Sequence, residues 1–439
     1  MDFTELNKVS WFQAKFSPDG RFLARSTGQK LYLHEADSLL LRHVFSCADN
    51  IHTLEWSPDS SLILCAMNKR GMVQVWSVEN LEWTCKIEEG SLRITIWSLI
   101  NRSARYIEHP LNGNPGADFT HDGQYFAVGE RRKGKDQVAI FACSSWQLVK
   151  RFSTATSNMA GLKWSPDDSA LCVWDSALKY QAVLYTPNGH LLGTFAPQEW
   201  ILGVRSIAWA PNSKFIALGS FDQKVRVLNH ITWMPVTVWD HPAVIEEDAG
   251  RGFIVYLEKP VTVSSQVLDS LDEVYHPWDD TAFEIADKFP VVVDATMLSS
   301  GSVLTSNTSK DDLLSVGSPW RHGVSKIGFS PDARYIASLN DSHPLGVWIW
   351  SIETLMLHSL LIFQNPVKDF VWSPTESMLA VCTENNKVFF WSLEGTVSVR
   401  LPETSYMEVA NLGWHPNGRK IALIGKESMC ICHVKPNRS

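Results

Sequence analysis

A short motif repeats through the chain and constrains its fold more than any other feature. It reads apolar-x-aromatic-small-Pro-Asp/Asn-small and runs into an apolar stretch. It occurs as Lys15-Phe16-Ser17-Pro18-Asp19-Gly20 and Glu55-Trp56-Ser57-Pro58-Asp59-Ser60, and recurs around Phe119, Trp164, Trp209, Phe329, Trp372 and Trp414, eight copies in all. Proline presets φ and the following Asp, Asn or Gly closes a β-turn, so each copy predicts strand, tight turn, strand. A second motif lies about twenty residues after most copies: an alternating strand that often ends in Trp-Ser. Clear examples are Val73–Ser77, Ile94–Ser98, Val347–Ser351 and Val388–Ser392, with weaker ones at Leu31–His34, Val138–Phe141, Ala182–Tyr185, Val225–Asn229 and Met429–His433. Period-two alternation rich in β-branched and aromatic residues is the strand signal.

The clearest unit runs from Ser206 to Asn229: Ile207-Ala208-Trp209, a Pro211-Asn212-Ser213 turn, Phe215–Ser220, a second turn, then Val225–Asn229. It resembles the inner three strands of a WD-repeat blade, and similar units recur at spacings of 40 to 45 residues, the period of that family. The expected fold is all-β, a WD40-repeat-like β-propeller of about eight to nine blade units. Trp-Asp is replaced by Trp-Ser, and the Gly-His that usually opens a repeat is absent. The Asp–His–Ser–Trp hydrogen-bond network of typical blades is therefore expected to be mostly missing. Packing between blades, aided by the 19 tryptophans, must carry stability instead.

The period breaks twice. Trp56 to Phe119 spans 63 residues, too many for one repeat and too few for two. Within it, Glu88-Glu89-Gly90-Ser91 runs straight into a third-strand motif at Ile94–Ser98 with no Pro-Asp hairpin before it. One blade near residues 90–98 is expected to be incomplete. Either it is a diverged short blade, or a hairpin of about twenty residues has been skipped between Gly90 and Arg93 by splicing or a gene-model error. Nine third strands against eight hairpins describe the same deficit.

The second break divides the chain into first blades over 1–240, an insertion over 241–320 and last blades over 321–439, expected to close the same propeller. The insertion holds 14 acidic and 4 basic residues, whereas the whole chain carries −8. Phe253–Leu257 and Phe283–Val293 keep strand character, so it reads as an outer strand plus acidic, partly disordered loops. Solvation is the plain account of its charge, and docking to a basic partner the functional one.

Catalytic motifs are hard to find. Gly129-Glu-Arg-Arg-Lys-Gly134-Lys135-Asp136 matches the spacing of a phosphate-binding loop, but Asp136 stands where Ser or Thr would hold magnesium. Its position between two strands predicts a hairpin turn with solvated charges. Arg131, Arg132, Lys133 and Lys135 form the densest basic cluster and are the candidate partner contacts. Cys430, Cys432 and His433 lie on a last blade strand without a second ligand pair and read as core. His230 and Trp233 read as beginning an outer strand, where they are packing residues or contacts on the rim. No enzyme, cofactor, metal site or small-molecule substrate is expected. The N-terminal segment lacks a signal-type apolar run, no stretch is long enough to span a membrane, and the eight cysteines show no framework spacing. Reduced thiols in the cytoplasm follow, with no direct nucleic-acid or membrane binding from so acidic a chain.

Four stretches carry a closer likeness: Leu64–Ser77, Glu108-His109-Pro110, Gly129-Glu-Arg-Arg132 and Val225–Trp233. They resemble the spindle-pole and centrosomal WD-repeat proteins of the WRAP (WDR-eight) family. That resemblance implies a non-catalytic scaffold at the microtubule-organising centre, anchoring microtubule minus ends. Its implied partners are a coiled-coil microtubule-anchoring protein and a minus-end-directed kinesin. It also implies an extra strand hairpin where Gly90 meets Ser91. The blades resemble, more distantly, the propeller of an alternative translation initiation factor that delivers initiator tRNA to the small ribosomal subunit.

Overall fold

The computed structural model describes residues 2–10, 13–67, 69, 72–81, 84–88, 93–97, 104–108, 110–111, 116–197, 202–241, 252–258, 278–279, 283–285, 323–383, 385–401 and 407–434. Among them there is no α-helix, and the strands form mostly antiparallel sheets whose hairpin-linked strands are neighbours in sequence. All eight Pro-Asp-type hairpins form, and so do all nine third strands.

The repeated turn explains itself chemically. In the first copy the Gly20 amide donates to the Ser17 carbonyl at 2.9 Å. The Ser17 hydroxyl donates to Asp19 Oδ1 at 2.6 Å and accepts from the Phe22 amide at 2.9 Å. Asp19 in turn accepts from the Arg21 amide. The fourth turn residue is left-handed in seven copies: Gly20, Ser60, Gly123, Asp168, Ser213, Ala333 and Gly418 all have φ between 57° and 72°. Small or side-chain-bonding residues tolerate that conformation, which is why they stand there.

These turns also join neighbouring sheets. The Asp19 amide donates to Ser60 Oγ, the His121 and Asp122 amides donate to the Asp168 carboxylate, and the Asp167 amide donates to Ser213 Oγ. At Gly20, which has no side chain to accept, the first residue of the neighbouring turn makes the link instead: His415 Nε2 donates to the Gly20 carbonyl at 2.7 Å.

The chain forms two compact units. The first comprises residues 1–90, 253–289 and 359–439. It contains four sheets, over residues 14–46, 53–88, 369–400 and 411–433. The strands Asp2–Phe3 and Asn7–Lys8 complete the last of these by pairing with Ser428–His433. Apolar clusters fill the space between successive sheets. One unites Leu31, Leu33 and Phe45 with Ile51, Leu54 and Ile63. Burying each of these side chains contributes about 1.5–3 kcal/mol before entropy is counted.

Parts of the insertion belong to this unit. Ile254–Glu258 pairs in parallel with Ser359–Ile362 on one side and antiparallel with Phe283–Ile285 on the other. Trp278–Asp279 pairs with Ser398 and Val399 of an outer strand. Glu258 is held as well: its carboxylate accepts from the Gln364 amide at 3.0 Å and lies 3.7 Å from the buried Lys387 ammonium. The expected strand character at 253–257 and at the start of 283–293 is therefore present, and residues 286–293 lie outside the described residues.

The second unit comprises residues 91–252 and 290–358. Complete four-stranded sheets cover 117–153, 159–195 and 204–240, and Val324–Phe329, Tyr335–Asn340 and Gly346–Ser351 follow. Its first sheet has two strands only among the described residues, Arg93–Trp97 and Ala104–Glu108, paired Arg93↔Glu108 through Trp97↔Ala104. This is the incomplete blade expected from the broken period. Its Ile94, Ile96 and Ile107 pack against Phe126, Val128, Ala139 and Phe141 of the next sheet. A tryptophan pair does join two sheets here: Trp239 stacks at 5.0 Å on Trp350, which stacks in turn at 5.8 Å on Trp348 of its own strand.

One blade keeps more of the typical polar network than its sequence advertises. Trp350 Nε1 donates to Ser338 Oγ, Ser338 faces His241 Nε2 at 2.9 Å, and His241 Nδ1 donates to the Gln223 carbonyl at 2.7 Å. The carbonyl acceptor fixes the Nδ1–H tautomer, leaving Nε2 to accept from the hydroxyl. The chain thus retains His, Ser and Trp, with a backbone carbonyl in place of the usual Asp. The sequence concealed this because the histidine follows Trp239-Asp240 rather than glycine.

Candidate interaction surfaces

The basic cluster sits on a hairpin between Tyr125–Arg132 and Lys135–Ala142, with Lys133 at φ 50° and Gly134 at φ 75°. Both central residues are left-handed, the geometry of a two-residue turn that matches strand twist. A phosphate loop is excluded by context, since a strand follows rather than a helix, and a Cβ on Gly129 would lie 2.7 Å from Met159 Sδ.

The four cations of the cluster are not equivalent. Arg131 donates to Asp136 Oδ1 through Nε and Nη2 at 2.9 and 2.7 Å, and reaches Asn158 Oδ1 at 3.0 Å. Arg132 Nε donates to Glu130, a fully buried carboxylate that also accepts from Arg151. Lys133 and Lys135 are exposed and have no side-chain partner among the described residues. Two of the four candidates are thus internally neutralised, and two point charges remain at the tip.

Of the other sequence candidates, His230 is exposed, whereas Trp233, Cys430 and Cys432 are structural. Trp233 is buried, lies edge-on to Trp209 at 6.1 Å, and belongs to the turn before the outer strand Pro235–Asp240. Cys430 and Cys432 are buried in one apolar cluster, with burial pushing the Cys430 thiol up to about 12. Among the described residues no three His, Cys, Asp or Glu side chains gather as metal ligands.

Carboxylates in or beside the turns between second and third strands were not singled out from sequence, yet they organise this face. Asp136 Oδ2 accepts from the Met159 amide at 2.6 Å and from Thr156 Oγ1. Asp175 is fully buried and accepts from the Ser157 and Asn158 amides at 2.8 and 2.7 Å. Asp222 bonds Arg226, which donates onward to Tyr180 and Ser220. An acidic residue recurring at that turn was the available signal.

The second unit also contains a cleft of about 480 Å³, lined by residues of the inner strands of four successive sheets. Its polar lining includes Asp118, Lys163, Arg205, Ser206 and Lys326, with Trp174 at its wall. The pairing of inner with second strands slips by one residue at Met159/Gly161, Val204/Ser206 and Val324/Lys326, the same place in three sheets. Such bulges re-aim a side chain. Arg205 occupies the middle one, ion-paired to Asp341 at 2.5 Å and lying over the Phe221 ring at 5.3 Å. Asp118 is largely spent internally: burial raises its carboxyl, and Oδ2 accepts from the Trp164 amide at 2.9 Å.

The WD domain, G-beta repeat model matches residues 183–229 and 354–392. The chain is 38% identical over 457 aligned positions to WD repeat-containing protein WRAP73 of Mus musculus, covering 99% of this chain and 96% of the relative. The chain belongs to the WRAP73 family of WD-repeat proteins. A more distant likeness, 21% identical over 337 residues, is to an uncharacterized WD repeat-containing protein of Schizosaccharomyces pombe, of which 58% is covered. Among solved structures the C-terminal WD40 domain of Sif2 superimposes with a TM-score of 0.54 at 12% identity, covering 99% of both chains, which supports the WD40 propeller fold. The WRAP73 alignment spans 457 positions and this chain has 439, so at least 18 positions of the relative have no counterpart here.

Proposed function

We propose that this protein is a non-catalytic scaffold of the microtubule-organising centre, located in the cytoplasm at the centrosome or spindle pole. There it holds microtubule minus ends through a coiled-coil anchoring protein, with a minus-end-directed kinesin in the same assembly. The observation that carries this reading is the near end-to-end identity with murine WRAP73. Its architecture supports it: blades present scattered loop residues on a rigid frame, which suits binding of protein partners.

The experiment is to tag the intact chain, image dividing cells and identify captured proteins. Signal concentrated at the poles, with a coiled-coil partner in the capture, is the expected result. Signal spread over ribosomes with none at the poles refutes the reading.

A further inference from the structure

We propose that the outer edge of the sheet over residues 117–153 docks an extended segment of a partner protein, apolar and then acidic, added as a strand beside Gln147–Ser153. This deepens the scaffold reading and rests on it only in taking the ligand to be a protein.

Residues 130–153 hold six basic and two acidic side chains, in a chain of net charge −8. Internal pairs remove part of that excess. Arg131 is balanced by Asp136. Glu130 binds both Arg132 and Arg151, so one carboxylate faces two guanidiniums. Lys133, Lys135 and Lys150 are exposed, and their ammoniums make no hydrogen bond or ion pair among the described residues. One charge from the Glu130 trio and one from each lysine are therefore left over.

Strand register fixes where this charge stands. Arg132 lies opposite Lys135, Glu130 opposite Gln137, Gln137 opposite Ser153, and Ala139 opposite Arg151. Opposed and alternate residues share a face, so Arg132, Lys135 and Arg151 gather on one side of the sheet with exposed Ser153. Fully buried Glu130 accepts from Arg132 through Nε alone, at 2.9 Å, which leaves the Nη donors of that guanidinium for a second carboxylate. Gln147–Ser153 is the last strand of its sheet, with Leu148 and Val149 43% and 54% exposed along it. The outer strands of the next two sheets lack such charge: Leu191–Phe195 has none, and Pro235–Asp240 has Asp240, paired with Lys224.

What a sheet edge of this chain accepts is visible in its first unit. Ile254–Glu258 lies along Ser359–Ile362 as an added strand, with Val255 and Tyr256 buried and Glu258 3.7 Å from Lys387. Main-chain pairing supplies affinity in such additions, and side chains supply specificity. Leu148 and Val149 followed by the cations of residues 132–151 offer the same pair of features to a segment from another chain.

The test uses the full chain and a fluorescein-labelled peptide of alternating valine and threonine ending in tetraglutamate, followed by anisotropy at low salt and at about 0.15 M salt. The same peptide ending in tetraglutamine is the control. Binding of the glutamate peptide alone is expected, tighter at low salt. Lys133→Glu with Lys135→Glu should weaken it roughly tenfold or more, since like charges then face the ligand. Lys133→Gln with Lys135→Gln is the milder pair, and unchanged thermal unfolding of either pair shows that the fold is kept. Lys163→Glu with Lys214→Glu makes the same change in net charge on exposed residues of other sheets, and should alter affinity by less than about twofold. N-methylation of the peptide's valines removes ladder donors and should also cost about tenfold. No binding, equal loss in the two charge-reversed pairs, or full affinity of the N-methylated peptide overturns the proposal. So does tighter binding of a short oligothymidylate, or a dimer of this chain that the first pair dissolves, which would make a second copy the occupant. Localisation at the pole is read separately, so a failed peptide assay with intact localisation sinks this inference and leaves the scaffold reading standing.

Discussion

Asp175 fastens the loop entering its own sheet to the turn leaving its second strand, and its removal separates two accounts of stability. Its side chain is fully buried and accepts the Ser157 and Asn158 amides at 2.8 and 2.7 Å, while Lys179 Nζ stands 3.6 Å away on a half-exposed side chain. Hydrogen bonds to a charged group each contribute about 1.5–3 kcal/mol. Ser157 and Asn158 are exposed, so water replaces part of what is lost, and Asp175→Ala should cost about 2–3 kcal/mol. For a body of this size that corresponds to a fall of roughly 5–10 °C in Tm. Asp175→Asn keeps one acceptor and turns an NH2 toward the other amide, so its loss should fall between wild type and Asp175→Ala. Lys179→Ala removes only a solvent-screened pair, worth about 0–1 kcal/mol. Urea and thermal unfolding followed by circular dichroism measure all three. If Lys179→Ala is as damaging as Asp175→Ala, or Asp175→Ala unfolds with wild type, the backbone clasp is not what holds this loop.

Three further outcomes are expected. Burial, only partly opposed by the Gln223 carbonyl, holds His241 at about 4, below its ordinary 6.5; its contribution is complete above pH 6.5 and is lost as pH falls toward 4. His241→Asn should flatten the fall of stability across that window, and an unchanged slope would contradict this. Gly219→Val should destabilise by about 1–3 kcal/mol in urea titrations, because a Cβ there would lie 2.5 Å from Ser206 Oγ and 2.7 Å from Ile327 Cδ1. A hairpin of about twenty residues inserted between Gly90 and Arg93, taken from a WRAP73 relative, should raise the unfolding temperature by completing the two-stranded sheet; equal unfolding would show that the short blade is self-sufficient.

Turn chemistry is local, and that is why so much of the fold could be read from sequence. Ser17-Pro18-Asp19-Gly20 bonds within itself, so its copies announce their hairpins wherever they occur. The break in the period was equally legible, as a third strand at Arg93–Trp97 with no Pro-Asp hairpin motif before it. Contacts between residues far apart left no such trace. Arg131 looked like free charge although its ion-pair partner Asp136 stands only five positions on, because nothing in the sequence shows that the two face each other across a hairpin; its further partners Ser157 and Asn158 lie 26 and 27 positions away. The network of His241 spans 97 positions to Ser338. Arg205 reads as an ordinary strand residue until the register slip beside it is seen. Parallel pairing of Ile254–Glu258 with Ser359–Ile362 was likewise invisible, since no turn joins them.

The pairing of Asp2–Phe3 with Cys432–His433 has a consequence for biosynthesis. Thr4 Oγ1 accepts from the Ile431 amide 427 positions away, so the two strands can meet only after all of the intervening chain has been made. At typical synthesis rates of roughly 5–20 residues per second, the first strands wait about 20 to 90 seconds for their mate. During that interval the nascent chain offers an unmated edge to any neighbouring polypeptide on the same messenger. Tags or fusions at either end therefore bear on the same late event, and assembly of this sheet is where chaperone dependence should concentrate.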